Sequence, residues 1–218
     1  MNILSKHGSK LLALALCFFV NTQSLTQGAT AQETKQRTLA YRTGNKWVAK
    51  HFHDASQIDS HVKTLKQLKC EVKKMEHNGH TDVQARSVMW KAIVIKDDEQ
   101  LKQWKAWFGA AGLEALSATP VKEGAPTQKD ANGKPLDVVQ FRTVKPVTIH
   151  AHQPGEAGQL KIMYGALGCE IESNKHGGHT DVKIECPKWM EIALPTHEIA
   201  HKWQEFLDKA GFETKHSH

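Results

Sequence analysis

The sequence predicts an α+β protein built from two copies of one β-α-β-β-α unit, each closed by a short further strand. Three observations predict this fold class. The chain matches itself at an offset of 99 residues, apolar residues in each copy switch between strand and helix periodicity, and a stretch rich in turn-forming residues separates the copies. We therefore expect one repeat at 38–118, a linker at 119–136 and a second repeat at 137–218.

The elements of each repeat follow in the same order. Strands are indicated by alternation of period two, and helices by apolar residues that recur every three or four positions after an N-capping residue. In the first repeat we expect a strand at 46–53, then a helix that follows Asp54 or Ser56 as its N-cap and has its apolar positions between 58 and 68. Strands at 70–77 and 80–95, a helix from 97 to 112 and a short strand at 113–116 follow. This order is typical of the ferredoxin-like fold, in which two helices cover one face of an antiparallel sheet. The other face is then expected to be open.

A tight turn fixes the register of the central hairpin. Asn78-Gly79 predicts a two-residue type I′ turn, because both central positions of that turn need positive φ. His77 then faces His80, and Asp82 lies on the same face as both histidines. Gly177-Gly178 predicts the same geometry in the second repeat. Because the apolar face of the hairpin must lie under the helices, we expect the histidines on the open face.

The first strand of each repeat adds a His-x-His pair to this face. Both rings of such a pair lie on one side of a strand, and in the ferredoxin-like order this strand lies beside the third. Imidazoles and carboxylates are the ligands that borderline divalent metals such as zinc, copper and nickel prefer. The candidate metal ligands are His51, His53, His77, His80 and Asp82 in the first repeat and His150, His152, His176, His179 and Asp181 in the second.

Two questions about these clusters stay open at the level of sequence. The histidines either bind a divalent transition metal or form a polar sheet edge that hydrogen-bonds to water. If they bind metal, the duplication gives either one site in each repeat or one shared site where the two open faces meet. Two His pairs that converge in both repeats favour metal binding.

Three cysteines follow the expected export segment. Cys169 and Cys186 are predicted to lie opposite each other on the core face of the second hairpin, in a non-hydrogen-bonded pair where a disulfide fits. We expect that disulfide, the alternative being two buried thiols. Cys70 faces Ser87 and is predicted to be a small buried apolar residue rather than a metal ligand.

Four tryptophans recur at equivalent positions of the two repeats. Helical spacing predicts that Trp104 and Trp203 belong to the core. By strand parity Trp90 and Trp189 fall on the open face. There they would either wall a site or form a contact between the repeats.

A second metal motif occurs near the end of the chain. His197-Glu198-Ile199-Ala200-His201 fits H-E-x-x-H, and residues 197–203 resemble the zincin metalloprotease signature. The resemblance implies that His197 and His201 bind zinc and that Glu198 activates water. The equivalent segment of the first repeat, 98–102, lacks both histidines, and only His216 or His218 is available afterwards as a third ligand. The alternative is two surface histidines on an amphipathic helix.

The N-terminus is typical of an export signal. Lys6 and Lys10 precede an apolar segment at 11–20, and Ala29-Thr30-Ala31 fits a cleavage site, so we expect a signal peptide at 1–31. Lipid attachment at Cys17 is the less favoured alternative. The mature protein is expected to be periplasmic or secreted, with no membrane span. Its mild positive charge, a net +6 for the whole chain, is too dispersed to indicate a nucleic-acid partner.

The sequence therefore predicts an exported transition-metal-binding protein. Binding, storage or delivery is favoured over catalysis, because no nucleophile with an oriented base and no phosphate-binding loop is found. One alternative is a metal-dependent enzyme, acting either at the open-face site or as a zincin-like hydrolase through His197. Another is a module that binds an anionic ligand or a partner protein through protonatable histidines.

Overall fold

The computed structural model describes residues 37–122, 124, 128–130 and 133–217. The predicted signal peptide and His218 lie outside the described residues. The first repeat contains β1 (Arg37–Arg42), β2 (Val48–Phe52), α1 (Ala55–Gln67), β3 (Glu71–His77), β4 (His80–Arg86), β5 (Lys91–Ile95), α2 (Asp98–Ala110) and β6 (Glu114–Leu116). After β7 (Thr119–Pro120), the second repeat contains β8 (Asp137–Arg142), β9 (Val147–Ala151), α3 (Glu156–Ala166), β10 (Glu170–His176), β11 (His179–Glu185), β12 (Met190–Leu194), α4 (His197–Lys209) and β13 (Glu213–Ser217).

The ferredoxin-like order is confirmed in both repeats. In the first, β6 and β5 flank β1, while β2 and β3 flank β4, and all pairs are antiparallel. Since β1 leads into β2 and β4 leads into β5, the order across the sheet is fourth, first, third, second. The second repeat follows the same pattern, with β7 added beside β12.

The long first and third strands each divide into two, which the sequence did not predict. A strand was expected at 46–53 alone, whereas β1 precedes it, and the strand expected at 80–95 is interrupted between β4 and β5. At this bend Thr43 N–H donates to the Ser87 carbonyl at 2.8 Å, and Ser87 N–H donates to the Thr43 hydroxyl at 2.9 Å. Thr143 and Cys186 make the same two bonds in the second repeat, so a threonine hydroxyl replaces one ladder bond at each bend.

Three helices begin at side-chain caps. Asp54 accepts the Ser56 N–H at 2.8 Å, Asp97 accepts the Gln100 N–H at 2.7 Å, and Thr196 accepts the Ile199 N–H at 3.3 Å. These bonds satisfy N–H groups that have no partner within the helix. Helix α4 therefore begins at His197, with Thr196 as its N-cap. None of the described helices is long and apolar enough to cross a bilayer.

Helix α3 packs against both repeats. It contacts β10 and β11 of its own sheet and also β1 of the first repeat. Leu39, Ala40 and Tyr41 are consecutively buried on β1, so both faces of that strand are covered. The expectation that one whole face of the sheet is open is therefore wrong for this half of the first repeat. Only the half formed by β2, β3 and β4 remains uncovered.

Trp90 forms a contact between the repeats. Its side chain is buried among the core residues of the second repeat, and its ring centroid lies 6.4 Å from that of Trp203. Gln159 on α3 accepts the Trp90 N–H at 2.6 Å and donates to the Trp90 carbonyl at 3.2 Å. Trp189 is instead half-buried beneath Arg142 and Lys215. Of the two roles considered for Trp90, the structure favours the contact between repeats.

The predicted disulfide is not formed, although the register on which it depended is correct. Glu170 and Glu185 close the ladder, so Cys169 and Cys186 lie one step beyond it. Cys169 N–H donates to Tyr164 and the backbone of Cys186 bonds to Thr143, so each strand diverges at this point. The two residues are buried thiols. A hydrogen bond between their side chains, followed by burial, raises the pKa of Cys169. Cys70 is a buried thiol, as expected.

Candidate metal sites

The hairpin turns position the histidines as predicted. Asn78 and Gly79 have φ of 47° and 78°, the positive values that a type I′ turn requires. His77 consequently pairs with His80, and the same register places Asp82 beside His51 of β2. All these side chains lie on the face opposite the buried residues of β4.

Asp82 joins two histidines of the first repeat. The Nδ1 of His51 lies 2.6 Å from one Asp82 oxygen, and the Nε2 of His77 lies 3.1 Å from the other. Ligand atoms of these three residues lie within 4.8 Å of one another. They form a group of two imidazoles and one carboxylate from three adjacent strands.

A second group in the first repeat consists of imidazoles alone. The Nδ1 atoms of His53 and His80 are 2.9 Å apart, and the ligand atoms of both lie within 4.8 Å of one in His51. One ring nitrogen of the close pair must carry a proton for the other to accept it. Since His51 belongs to both groups, all five predicted ligands of this repeat are brought together at one corner.

The second repeat brings together four of its five predicted ligands. The Nδ1 of His150 lies 2.6 Å from Asp181, the Nε2 of His176 lies 2.7 Å from it, and the Nε2 of His179 lies 3.4 Å from it. Ligand atoms of His150, His179 and Asp181 lie within 4.8 Å of one another. The geometry around Asp181 thus repeats that around Asp82.

His152 is the predicted ligand that lies farthest from its cluster. Its ring centroid is 5.3 Å from that of His179 and 6.5 Å from that of His150. The Glu156 carboxylate accepts the backbone N–H of His152 at 2.9 Å at the start of α3. The first repeat has a different turn here, capped by Asp54. This local difference accompanies the looser position of the His152 ring.

The electrostatics favour the protonation states that metal binding needs. Hydrogen bonds from His51 and then His77 lower the pKa of Asp82, and those from His176 and His150 lower the pKa of Asp181. Loss of hydration, followed by repulsion from the neighbouring imidazoles, lowers the pKa of His80. Ionised carboxylates and neutral imidazoles are the forms that bind metal.

A further histidine group involves the H-E-x-x-H motif. His197 and His201 on α4 and His216 on β13 have ligand atoms within 4.8 Å of one another. Glu198 instead pairs with Lys202, with Oε1 and Nζ 2.6 Å apart. The three histidines are therefore spaced so that they could hold an ion, but Glu198 has no contact suited to a catalytic base. Sequence reasoning named His216 only as one possible third ligand and missed Asp137, which contacts this group.

A cavity of about 790 Å³ lies at the junction of the repeats. Residues of both repeats line it, including Arg42, Lys105, Met163 and Trp203. None of the clustered histidines is among the lining residues. The open-face clusters are surface sites separate from this cavity.

Two crystal structures align with this chain over most of their lengths. One is described as a candidate glycine cleavage system transcriptional repressor and is 6% identical to this chain. The alignment covers 84% of this chain and 98% of the other, with a TM-score of 0.17. The other, an unknown protein from Galdieria sulphuraria, is 11% identical, has the same coverage and a TM-score of 0.18. No protein-family model and no curated protein matches the sequence. The ferredoxin-like assignment therefore rests on strand order, and the candidate sites rest on their own residues.

Proposed function

We propose that this chain is an exported protein that binds divalent transition-metal ions on the open half-sheet of each repeat. The role of this binding is to store or deliver the ion. The observation that carries the proposal is the recurrence of one arrangement in both repeats. A histidine and an aspartate face each other across two strands, and in both repeats the contact is 2.6 Å. The hairpin histidine contacts the second oxygen of the same aspartate.

The spacing within each group suits a single ion. Four ligand atoms bonded to zinc at about 2.0–2.1 Å in a tetrahedron are roughly 3.3 Å apart. The ligand atoms of His51, His77 and Asp82 are at most 4.8 Å apart, and the shortest distance, between His51 and Asp82, is 2.6 Å. Rotations of exposed side chains that move these atoms by roughly 1 Å would therefore admit the ion.

The exposure of the ligands favours exchange of the ion over permanent retention. The side chains of His51 and His77 are 41% and 46% exposed. An ion held here would be reached directly by solvent and by a second molecule that carries ligands. This accessibility favours storage or delivery over a closed structural site, in which protein ligands fill every position.

A metal-dependent enzyme is the second candidate, and the composition of the groups favours it. His51, His77 and Asp82 supply two imidazoles and one carboxylate, as do His150, His179 and Asp181. Such a set leaves coordination positions for substrate. The fate of the bound ion and the presence of turnover separate the candidates. Transfer of zinc from the loaded protein to a chelator, with no hydrolysis of ester or phosphoester substrates, supports storage or delivery. Hydrolysis that is lost in His51→Ala/His150→Ala supports the enzyme.

Metal analysis of stripped and reloaded protein tests the main proposal. We expect wild-type protein to bind zinc, copper or nickel, His51→Ala to lose the ion of the first repeat, and His51→Ala/His150→Ala to lose both open-face ions. His61→Leu is the control, since it removes a histidine that lies outside all the clusters. Wild-type protein that binds none of the three metals would overturn the proposal.

The export proposal has its own test. The charged and apolar segments at 1–31 support cleavage after Ala31. Expression of the full chain in a bacterium, followed by fractionation and N-terminal sequencing, should give an exported protein that begins at Gln32. A cytoplasmic protein that retains residues 1–31 would contradict export without affecting the metal sites.

A further inference from the structure

The third histidine group joins three elements of the second repeat. The Nε2 atoms of His197 and His201 are 2.9 Å apart on successive turns of α4. The His216 ring of β13 lies 5.0 Å from each of these rings, centroid to centroid. Asp137 of β8 lies 3.2 Å from the Nδ1 of His197 and 3.5 Å from the Nε2 of His216.

This group is enclosed on its β13 side. The side chain of His216 is 8% exposed and that of Asp137 is 18% exposed, whereas that of His197 is 54% exposed. Helix α4 packs on both β8 and β13, and these contacts cover His216 and Asp137. An ion here would lie between α4 and β13 and would be reached by solvent from the side of His197 and His201.

The first repeat closes the equivalent corner without histidine. Arg37 occupies the position of Asp137, since it pairs with the end of β5 as Asp137 pairs with the end of β12. Asp98 occupies the position of His197, and it forms an ion pair with Arg37. Lys102 and Ser117 stand at the positions of His201 and His216. The fold therefore does not need histidines here for packing, and their presence in one repeat calls for a separate role.

We propose that His197, His201 and His216 bind one divalent transition-metal ion that fastens β13 to α4. Asp137 faces the Nδ1 of His197, so that Nε2 is directed at His201, the arrangement by which a carboxylate orients a metal-binding imidazole. Two histidines four residues apart on a helix and a third from an adjacent element form a usual zinc ligand set.

The role of this site is structural rather than hydrolytic. Hydrolysis by an H-E-x-x-H site needs the glutamate to activate a metal-bound water. Glu198 is 78% exposed and pairs with Lys202. The three ligands instead join α4 to β13, which favours a role in holding these two elements together.

Hydrogen exchange and zinc stoichiometry test this proposal independently of the open-face sites. In His51→Ala/His150→Ala protein we expect one zinc ion to remain, and further substitution of His201→Ala should remove it. Lys102→Ala, the matched change in the first repeat, should retain it. Zinc at 100 times its Kd should slow amide exchange in β13 roughly 100-fold, because opening of that strand would release the ion.

A second variant examines the role of Asp137. Asp137→Asn keeps the shape of the side chain and should weaken zinc binding at this site about 10- to 100-fold, because it changes the group that orients His197. Zinc stoichiometry unaffected by His201→Ala, or β13 exchange that does not respond to zinc in wild-type protein, would overturn the proposal. Measurable peptide hydrolysis that depends on Glu198 would overturn the structural role.

Discussion

His51 and Asp82 face each other across β2 and β4, with Nδ1 of the imidazole 2.6 Å from one carboxylate oxygen. They are direct register partners, so the backbone ladder fixes this contact rather than a chance rotamer. His150 and Asp181 repeat it at the same distance. In both repeats the aspartate is placed either to bind the ion or to orient the imidazole that does.

Replacing this aspartate tests its contribution to metal binding. Asp82→Asn should weaken zinc binding in the first repeat about 10- to 100-fold, because an amide is a poorer ligand and a poorer partner for a donating imidazole. Titration calorimetry should show the second repeat unaffected. Asp181→Asn is the mirror-image control, and an unchanged affinity in both variants would exclude these carboxylates from the sites.

The two repeats should respond differently to loss of the second histidine of each His-x-His pair. His53→Ala removes a member of a close group in the first repeat, whereas the His152 ring lies apart from its neighbours. We expect His53→Ala to lower zinc affinity by more than tenfold and His152→Ala by less than threefold. Equal losses would indicate that the loop at 153–155 closes on metal binding and brings His152 in.

Burial of His61 should make the protein sensitive to acid. His61 packs between Phe52 and Trp107, and burial, followed by the charge of Lys50, lowers its pKa to about 4. The unfolded chain, with a histidine pKa near 6.5, takes up a proton that the folded chain excludes. Stability from this residue is therefore present above pH 6.5 and is lost as the pH falls towards 4, by at most about 1.4 kcal/mol per pH unit.

His61→Leu should reduce this acid sensitivity. Leucine is the residue at the equivalent position of the second repeat, Leu160, so the substitution suits the fold. Urea unfolding of both proteins at pH 7.5, 6 and 5 measures the effect. The difference in stability between them should grow as the pH falls, and a constant difference would contradict the expected titration of His61.

Loss of the Trp90 side chain should weaken the contact between the repeats. Trp90 is 5% exposed and packs on Trp203. Trp90→Ala should cost about 3–5 kcal/mol, the usual range for removing a buried tryptophan. Denaturant unfolding should also become less cooperative, since the shared core then holds the repeats together less firmly. Trp189→Ala, which changes a half-buried ring, is the control and should cost less.

The positions of the open-face histidines could be predicted because they depend on local chemistry. Asn78-Gly79 specifies the turn, the turn specifies the register, and alternation assigns each side chain to a face. The offset of 99 residues then transfers the result to the second repeat. Each step involves residues close in sequence or in direct register.

Features that depend on contacts between distant segments could not be predicted in this way. The covering of β1 by α3 follows from how the repeats pack. The third histidine group likewise needs β13 beside β8 and α4. The sequence holds one signal for each feature. Apolar residues all around α3 are typical of a helix that is buried on several sides, as α3 is against β1. His216 continues the alternation of β13, which places it on the inner side of that strand.

The strand β7 links the repeats in a way that bears on solubility. Thr119 and Pro120 follow the first repeat directly and pair with Glu191 and Met190 of β12. A sheet edge invites other chains to pair with it, and a proline, which has no N–H, discourages this. The edge strand β12 of the second repeat is thus covered by β7, which belongs to the segment that connects the two repeats. Expressed without that segment, the second repeat would leave β12 open to pairing between molecules and would tend to aggregate.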